Sequence, residues 1–255
     1  MITFPYAKIN LGLHITERRE DGYHNLETCF YPVKNLQDSL EMIPVGRGLA
    51  ELTVYEMEWS EPKESNLIWR AWLKFRELEL ECPEFHWHLL KKIPTGGGLG
   101  GGSSDASFAL RMMAEYCNWS RHDARLLEMA AGLGSDCAFF LFDEPMLGLG
   151  RGEVLSPVSV SLSGYHIELV TPGVHVSTKD AFSKVSPKKP ERSIRDILAL
   201  PVESWKGLLK NDFEESVFAI YPELASMKAG LYAQGAVYAS LSGSGSTLYG
   251  LFKED

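Results

Sequence analysis

A chain of 255 residues with 45% hydrophobic content is long enough to bury a large core, as one big domain or two modest ones. Its net charge of −9 has the wrong sign for sequence-independent binding to nucleic acid or an anionic membrane, so anionic ligands must be held by local cations and backbone dipoles. Cys29, Cys82, Cys117 and Cys137 form no C-x-x-C pair, no run approaches the ~18 apolar residues of a membrane span, and strand-like Ile2-Thr3-Phe4 leaves no room for a signal peptide, so a cytoplasmic protein is expected.

In chain order, hydrophobic alternation predicts strands over 3–15, 26–33, 38–44 and 49–58. A helix follows over 66–78, with Leu67, Ile68, Ala71, Trp72 and Phe75 on one face, and then a strand over 85–93. The next helix, over 103–117, rests on Ala106, Ala109, Leu110 and Met113 at three-and-four spacing. Another over 121–131 runs into Gly132 and Gly134, which read as a glycine C-cap. Residues 145–157 read as turns between short strands, and 165–171 as a further strand. Ser177 opens a helix, with Asp180 as a loose capping box, and the pattern stays mainly helical to 234. Two strands then flank Ser242-Gly243-Ser244-Gly245-Ser246. A soft domain boundary falls near 157–164, where Pro157 and a Ser/Gly cluster break the pattern.

Between the strand at 85–93 and the helix at 103–117 lies Pro94-Thr95-Gly96-Gly97-Gly98-Leu99-Gly100-Gly101-Gly102-Ser103-Ser104-Asp105. Glycines let backbone N–H groups approach an anion at positive φ, and the helix start adds unpaired N–H groups at the positive end of its dipole. Ser103 and Ser104 can add hydroxyls, so the chemistry is that of a phosphate cradle. It is not a Walker A loop, because no Lys separates Gly102 from Ser103. Gly96, Gly98 and Gly101 match the dinucleotide pattern, but residues 115–125 read as helix and loop rather than a strand ending in an acid. The plainer alternative is a flexible glycine linker, though linkers rarely sit between a strand and a well-patterned helix. His86 and His88 face one way without a third ligand in register, so no metal site is expected. Cys137 has no local His to activate it as a nucleophile.

Three segments in order, Pro5-Tyr6-Ala7-Lys8-Ile9-Asn10-Leu11, Pro94 to Ser104, and Leu241-Ser242-Gly243-Ser244-Gly245, resemble the GHMP kinases over nearly the whole chain. The resemblance implies an α+β, two-domain GHMP kinase fold. It comprises a ribosomal protein S5 domain 2-like N-terminal domain over 1–158, with a left-handed βαβ element that holds ATP, and a ferredoxin-like C-terminal domain over 159–255. Relatives usually continue past the last strand with a helix and another strand, so the C-terminal domain is expected to be shorter than usual.

Further segments, Arg19 to His24, Leu133-Gly134-Ser135-Asp136, Gly150-Arg151-Gly152-Glu153 and Pro172-Gly173-Val174 to Thr178, resemble the branch of the family whose substrate is a cytidine diphosphate-linked methylerythritol. By resemblance, Asp136 is the general base toward an alcohol, and Lys8 is the ammonium that keeps that carboxylate ionised and lowers the hydroxyl pKa. ATP with Mg²⁺ is implied, on Asn66, Pro94, Thr95, Gly96, Gly97, Gly98, Leu99, Gly100, Gly101, Gly102, Ser103 and Ser104. His24 is implied to read the cytosine edge, Tyr23 and Phe182 to offer stacking faces, and Asn10 and Thr178 to contact the alcohol or diphosphate. Read without the family, each of these residues has a plainer role, Phe182 as core and Tyr23-His24 as surface turn. A homoserine or mevalonate type of alcohol kinase and a non-catalytic nucleotide-binding protein are the alternatives. The expected partner is a small molecule, with no nucleic acid or membrane, and the expected state a monomer or weak dimer.

Overall fold

The computed structural model describes residues 1–56 and 62–254. Its strands are β1 (Ile2–Thr3), β2 (Tyr6–Arg18), β3 (His24–Gln37), β4 (Ser39–Val45), β5 (Glu51–Tyr55), β6 (Glu84–Leu90), β7 (Met146–Gly150), β8 (Val154–Pro157), β9 (Tyr165–Val170), β10 (Tyr238–Leu241) and β11 (Leu248–Lys253). Its helices are α1 (Leu67–Leu78), α2 (Gly101–Tyr116), α3 (Ala124–Leu133), α4 (Thr178–Phe182), α5 (Ile194–Leu198), α6 (Phe213–Ile220) and α7 (Pro222–Ala233). They divide into two compact units that alternate along the sequence: Met1–Ala7, Pro32–Pro94 and Gly100–Asp143 form the first, and Lys8–Tyr31, Thr95–Leu99 and Glu144–Asp255 the second.

The first unit holds a sheet of order β1-β4-β6-β5. Only β5 and β6 run parallel, and α1 lies between them in sequence, so the three make a βαβ crossover. Alternation along β6 turns Phe85, Trp87 and Leu89 inward. On α1, Ile68, Trp72 and Phe75 form a buried stripe at helical spacing, and α1 packs mainly on α2. Each such side chain contributes about 1.5–3 kcal/mol by leaving water. The expected strand over 49–58 ends at Tyr55, and its residues 57 and 58 lie outside the described residues.

The second unit includes most of the sheet β2-β3-β7-β8 and all of the antiparallel sheet β10-β11-β9. Leu13 and Ile15 of β2, Val176, Phe213 and Val217 of α6, and Leu241 and Leu248 share one buried cluster. Among the described residues no helix is long and apolar enough to cross a membrane.

Three local expectations are corrected. The strand expected over 3–15 is two strands in different sheets, because Pro5 has no N–H to continue a ladder, while its carbonyl accepts Asp38 N–H at 2.8 Å. Gly132 lies inside α3, and Gly134 ends it in an extended conformation (φ −178°), not the left-handed cap the glycine suggested. Between 177 and 234 the helices are separated by irregular stretches at 183–193, where Pro187 and Pro190 oppose helix, and at 205–212.

Candidate active site

In the second unit, Lys8 and Asn10 point the same way along β2, two residues apart, and both are buried. The Lys8 Nζ donates to Asn10 Oδ1 at 2.6 Å and to the Gly98 carbonyl at 3.0 Å, and sits 5.5 Å from the Phe30 ring centre. Asn10 in turn donates to Thr28 Oγ1 at 2.9 Å, and the Thr28 hydroxyl donates to the Gly12 carbonyl at 2.6 Å. A chain of buried hydrogen bonds therefore fixes the ammonium against the glycine loop.

The loop itself is packed backbone on backbone. A Cβ on Gly98 (φ +80°) would fall 2.0 Å from the Ser242 carbonyl oxygen, and one on Gly245 would fall 2.1 Å from the Gly97 carbonyl carbon. Ser242 Oγ donates to the Gly98 carbonyl at 2.9 Å, and Thr247 N–H donates to the Gly97 carbonyl at 3.1 Å. The second Ser/Gly segment thus braces the first, and only glycine allows the contact. Pro94, Thr95 and Gly96 remain exposed.

The residues expected to hold the substrate occupy the same unit. His24 and Phe182 stack with ring centres 4.9 Å apart and planes at 29°, and Phe182 meets Phe213 edge-on. The sequence expectation had Phe182 offering a face to the base; here one of its faces is on His24. Burial, with the Arg18 charge adding to it, holds His24 below its ordinary pKa. At neutral pH the imidazole therefore presents one donor and one acceptor. Tyr23 is 56% exposed, with the Arg151 guanidinium 5.0 Å from its ring centre. Thr178 is exposed on the first turn of α4, which Ser177 caps by accepting Asp180 N–H at 3.0 Å.

In the first unit, α2 begins inside the glycine run, with Gly100 at φ +71° as N-cap. Its first N–H groups have no partner within the helix. Leu67 Cδ1 lies 3.8 Å from where a Cβ on Gly102 would be, so the start of α1 abuts the start of α2. Asn66 caps α1, its Oδ1 accepting Ile68 N–H at 2.9 Å. Ser104 is fully buried and donates its hydroxyl to the Tyr6 carbonyl at 2.7 Å, so it anchors the helix, whereas Ser103 is half-buried.

The segment carrying Asp136 is fastened to that same turn. The Ser107 hydroxyl lies 2.6 Å from the Cys137 carbonyl and 2.9 Å from that of Ser103, and a Cβ on Gly134 would be 4.0 Å from Ser103 Oγ. Asp136 precedes a short 3-10 helix, Cys137–Leu141, and is half-buried. Burial pushes the neighbouring Cys137 thiol up to about 11, which leaves it protonated and unreactive at neutral pH.

Beneath α2 lies a buried cluster of three charges that composition and spacing did not bring out. Lys91 Nζ pairs with Asp38 and, at 2.9 Å, with Asp105. Asp38 also accepts Ile93 N–H at 2.8 Å. Burial opposes the Lys91 ammonium, but the two carboxylates outweigh it and hold its pKa above the ordinary value. For Asp105 burial dominates and Asp38 adds to it, so despite Lys91 its carboxyl is pushed up to about 7, and one of its oxygens has no partner. The folded state therefore binds this proton more tightly than the unfolded chain. Its contribution to stability falls as pH rises from about 4 to about 7 and is flat above. Asp105→Asn, which cannot ionise, is expected to flatten that slope by up to about 1.4 kcal/mol per pH unit, measured as urea unfolding at pH 5, 6 and 7. Parallel pH profiles for both proteins would mean that Asp105 ionises as it does in water.

Family models match this chain in two places, the GHMP kinases N terminal domain over residues 66–144 and the GHMP kinases C terminal domain over 193–255. The chain belongs to the GHMP kinases. Its similarity to curated relatives runs through all of its length. It is 50% identical over 258 residues to the 4-diphosphocytidyl-2-C-methyl-D-erythritol kinase of Bacteroides thetaiotaomicron, covering 100% of this chain and 93% of the relative. To the protein of the same name from Bacteroides fragilis it is 48% identical over 257 residues, with the same coverage. A crystal structure of 4-(cytidine 5'-diphospho)-2C-methyl-D-erythritol kinase superimposes with a TM-score of 0.78 at 32% identity, covering 98% of this chain and 90% of that one. A mevalonate kinase structure at 12% identity and TM-score 0.71 shares the fold alone.

Proposed function

We propose that this kinase transfers the γ-phosphoryl group of ATP to the 2-hydroxyl of 4-diphosphocytidyl-2-C-methyl-D-erythritol, a step of the non-mevalonate route to isoprenoid precursors. The observation that carries the reading is the full-length similarity to relatives of that name. The geometry of the glycine loop supports the nucleotide half. Gly98 and Gly245 interlock without Cβ atoms, Thr95 and Gly96 are exposed, and in the first unit α2 starts with N–H groups that have no partner within the helix. Gly97 to Gly102 and Ser103 would cradle the phosphates, Asn66 would mark the nucleoside end, and Ser104 would hold the helix in place.

The chemistry asked of the chain is modest. As the substrate oxygen attacks the γ-phosphorus, its proton passes to Asp136, the new O–P bond forms, and the bond to the β-phosphate oxygen breaks to leave ADP. Lys8, held by Asn10 and the Gly98 carbonyl, would supply positive charge where the hydroxyl loses its proton and the phosphoryl oxygens gather charge. Mg²⁺ accompanies ATP and screens its phosphates. Mg²⁺ is typically held by substrate phosphates, waters and one or two protein oxygens, and the Ser103 hydroxyl would be one candidate among them. Neutral His24 offers both a donor and an acceptor to a cytosine edge, and exposed Tyr23 offers a stacking face worth ~1–3 kcal/mol.

With ATP and 4-diphosphocytidyl-2-C-methyl-D-erythritol, the protein is expected to release one ADP per acceptor phosphorylated, and none with homoserine or mevalonate. ADP formed with either of the latter, and not with the cytidine diphosphate-linked alcohol, would assign the chain to another branch of the family.

A further inference from the structure

His175 lies on the segment before α4, and the reaction as described leaves it without a role. Its ring edge rests on the glycine loop. Nδ1 and Cε1 are 3.0 and 3.2 Å from where a Cβ on Gly96 would be, so Gly96 is glycine both for its φ of +71° and for the space this imidazole fills. His175 is exposed, so the rest of its ring faces solvent beside the exposed arc of the loop. The backbone that carries it is held on both sides. Val176 is buried in the apolar cluster of the second unit, Ser177 caps α4, and the Tyr221 hydroxyl lies 3.4 Å from the His175 carbonyl and 3.3 Å from Asp180 Oδ2.

The run from Pro94 to Ser104 contains no cationic side chain. Lys8 reaches it at the Gly98 carbonyl, two residues beyond Gly96. An imidazole at Gly96 therefore adds a side-chain donor at the loop's opening end, in addition to those of Lys8 and Ser242 at Gly98.

We infer that His175 donates a hydrogen bond to a phosphate oxygen of an anion seated on the loop at Gly96. The inference rests on the phosphotransferase reading above and deepens it. Two phosphate groups could supply the oxygen, the polyphosphate of ATP and the diphosphate of the acceptor, and each has its own arm in the test. A hydrogen bond to a charged group is strong enough for its loss to weaken binding about 10-fold.

The test uses the full-length protein and its His175→Ala and His175→Gln variants. Steady-state kinetics give KM for ATP and for the acceptor separately, and the His175 C2–H proton resonance, assigned by its absence from the variants, is followed as ATP or acceptor is added alone. The expected result is a rise of about 10-fold in one of the two KM values in His175→Ala, partial recovery in His175→Gln, and movement of the His175 resonance with that same ligand. Two unchanged KM values overturn the inference. So does a raised KM with a resonance that neither ligand moves, because a ring that only packs on Gly96 would behave that way. If the wild-type protein turns over no acceptor but ATP still moves the resonance, the acceptor assignment falls while the His175 contact stands.

Discussion

Asp136→Asn is expected to lower kcat by ~10²–10⁴-fold while leaving the affinity for ATP within about twofold of wild type, because the amide keeps the shape of the carboxylate and cannot take a proton. The site favours a clean result. The Asp136 side chain makes no capping hydrogen bond to the 3-10 helix that follows it, and the Ser107 hydroxyl on the Cys137 carbonyl anchors the segment. The measurement is single-turnover phosphoryl transfer beside equilibrium ATP binding. Turnover at the wild-type rate would reassign the base. Lys8→Gln supplies the complementary arm. If Lys8 and Asp136 act on one hydroxyl, the double variant should be little slower than the poorer single one, since groups that work as a unit are not additive. Fully multiplicative losses would mean that the two act independently.

Gly98→Ala is expected to destabilise the protein by about 3 kcal/mol or more and to lower kcat/KM for ATP by at least ~10²-fold. The methyl would need to occupy a point 2.0 Å from the Ser242 carbonyl oxygen and 3.0 Å from the Gly245 nitrogen, at a φ of +80°. Neither neighbour is a flexible side-chain tip, so the two glycine segments must part, and with them go the hydrogen bonds of Lys8 and Ser242 to the Gly98 carbonyl. Gly102→Ala, four residues on, is the matched control. Its nearest neighbour is Leu67 Cδ1 at 3.8 Å, it sits in the first turn of α2, and the change is expected to leave stability unchanged or raise it by up to ~1 kcal/mol. Thermal unfolding separates the two, with Gly98→Ala melting roughly 6–12 °C below wild type. If both variants melt together with wild type, the interlock of the two segments is not tight.

Much of this was legible in the residues. Six glycines followed by two serines and a patterned helix have the chemistry of a phosphate cradle, because positive φ, close approach and a helix dipole are properties of a few consecutive residues. The order of the Lys8 segment, the glycine run and the Ser/Gly run likewise pointed to one kinase family, which the family models bear out. One signal in the same residues stood unused. Phe85, Trp87 and Leu89 alternate inward along β6, and Lys91 continues their parity, so a lysine on the buried register already implied a buried acid.

Which acids those are could not be read locally. Asp38 and Asp105 lie 53 and 14 positions from Lys91, and nothing in their own neighbourhoods distinguishes them from solvated carboxylates. The Ser104 hydroxyl donates to the carbonyl of Tyr6, 98 positions away, a partner that nothing in its own neighbourhood announces. The stacking of His24 on Phe182, and the seat of His175 on Gly96, have the same origin. Backbone conformation and helix ends follow from neighbours along the chain, whereas the partner of a buried polar or aromatic side chain is chosen by whatever the folded chain brings within about 4 Å of it.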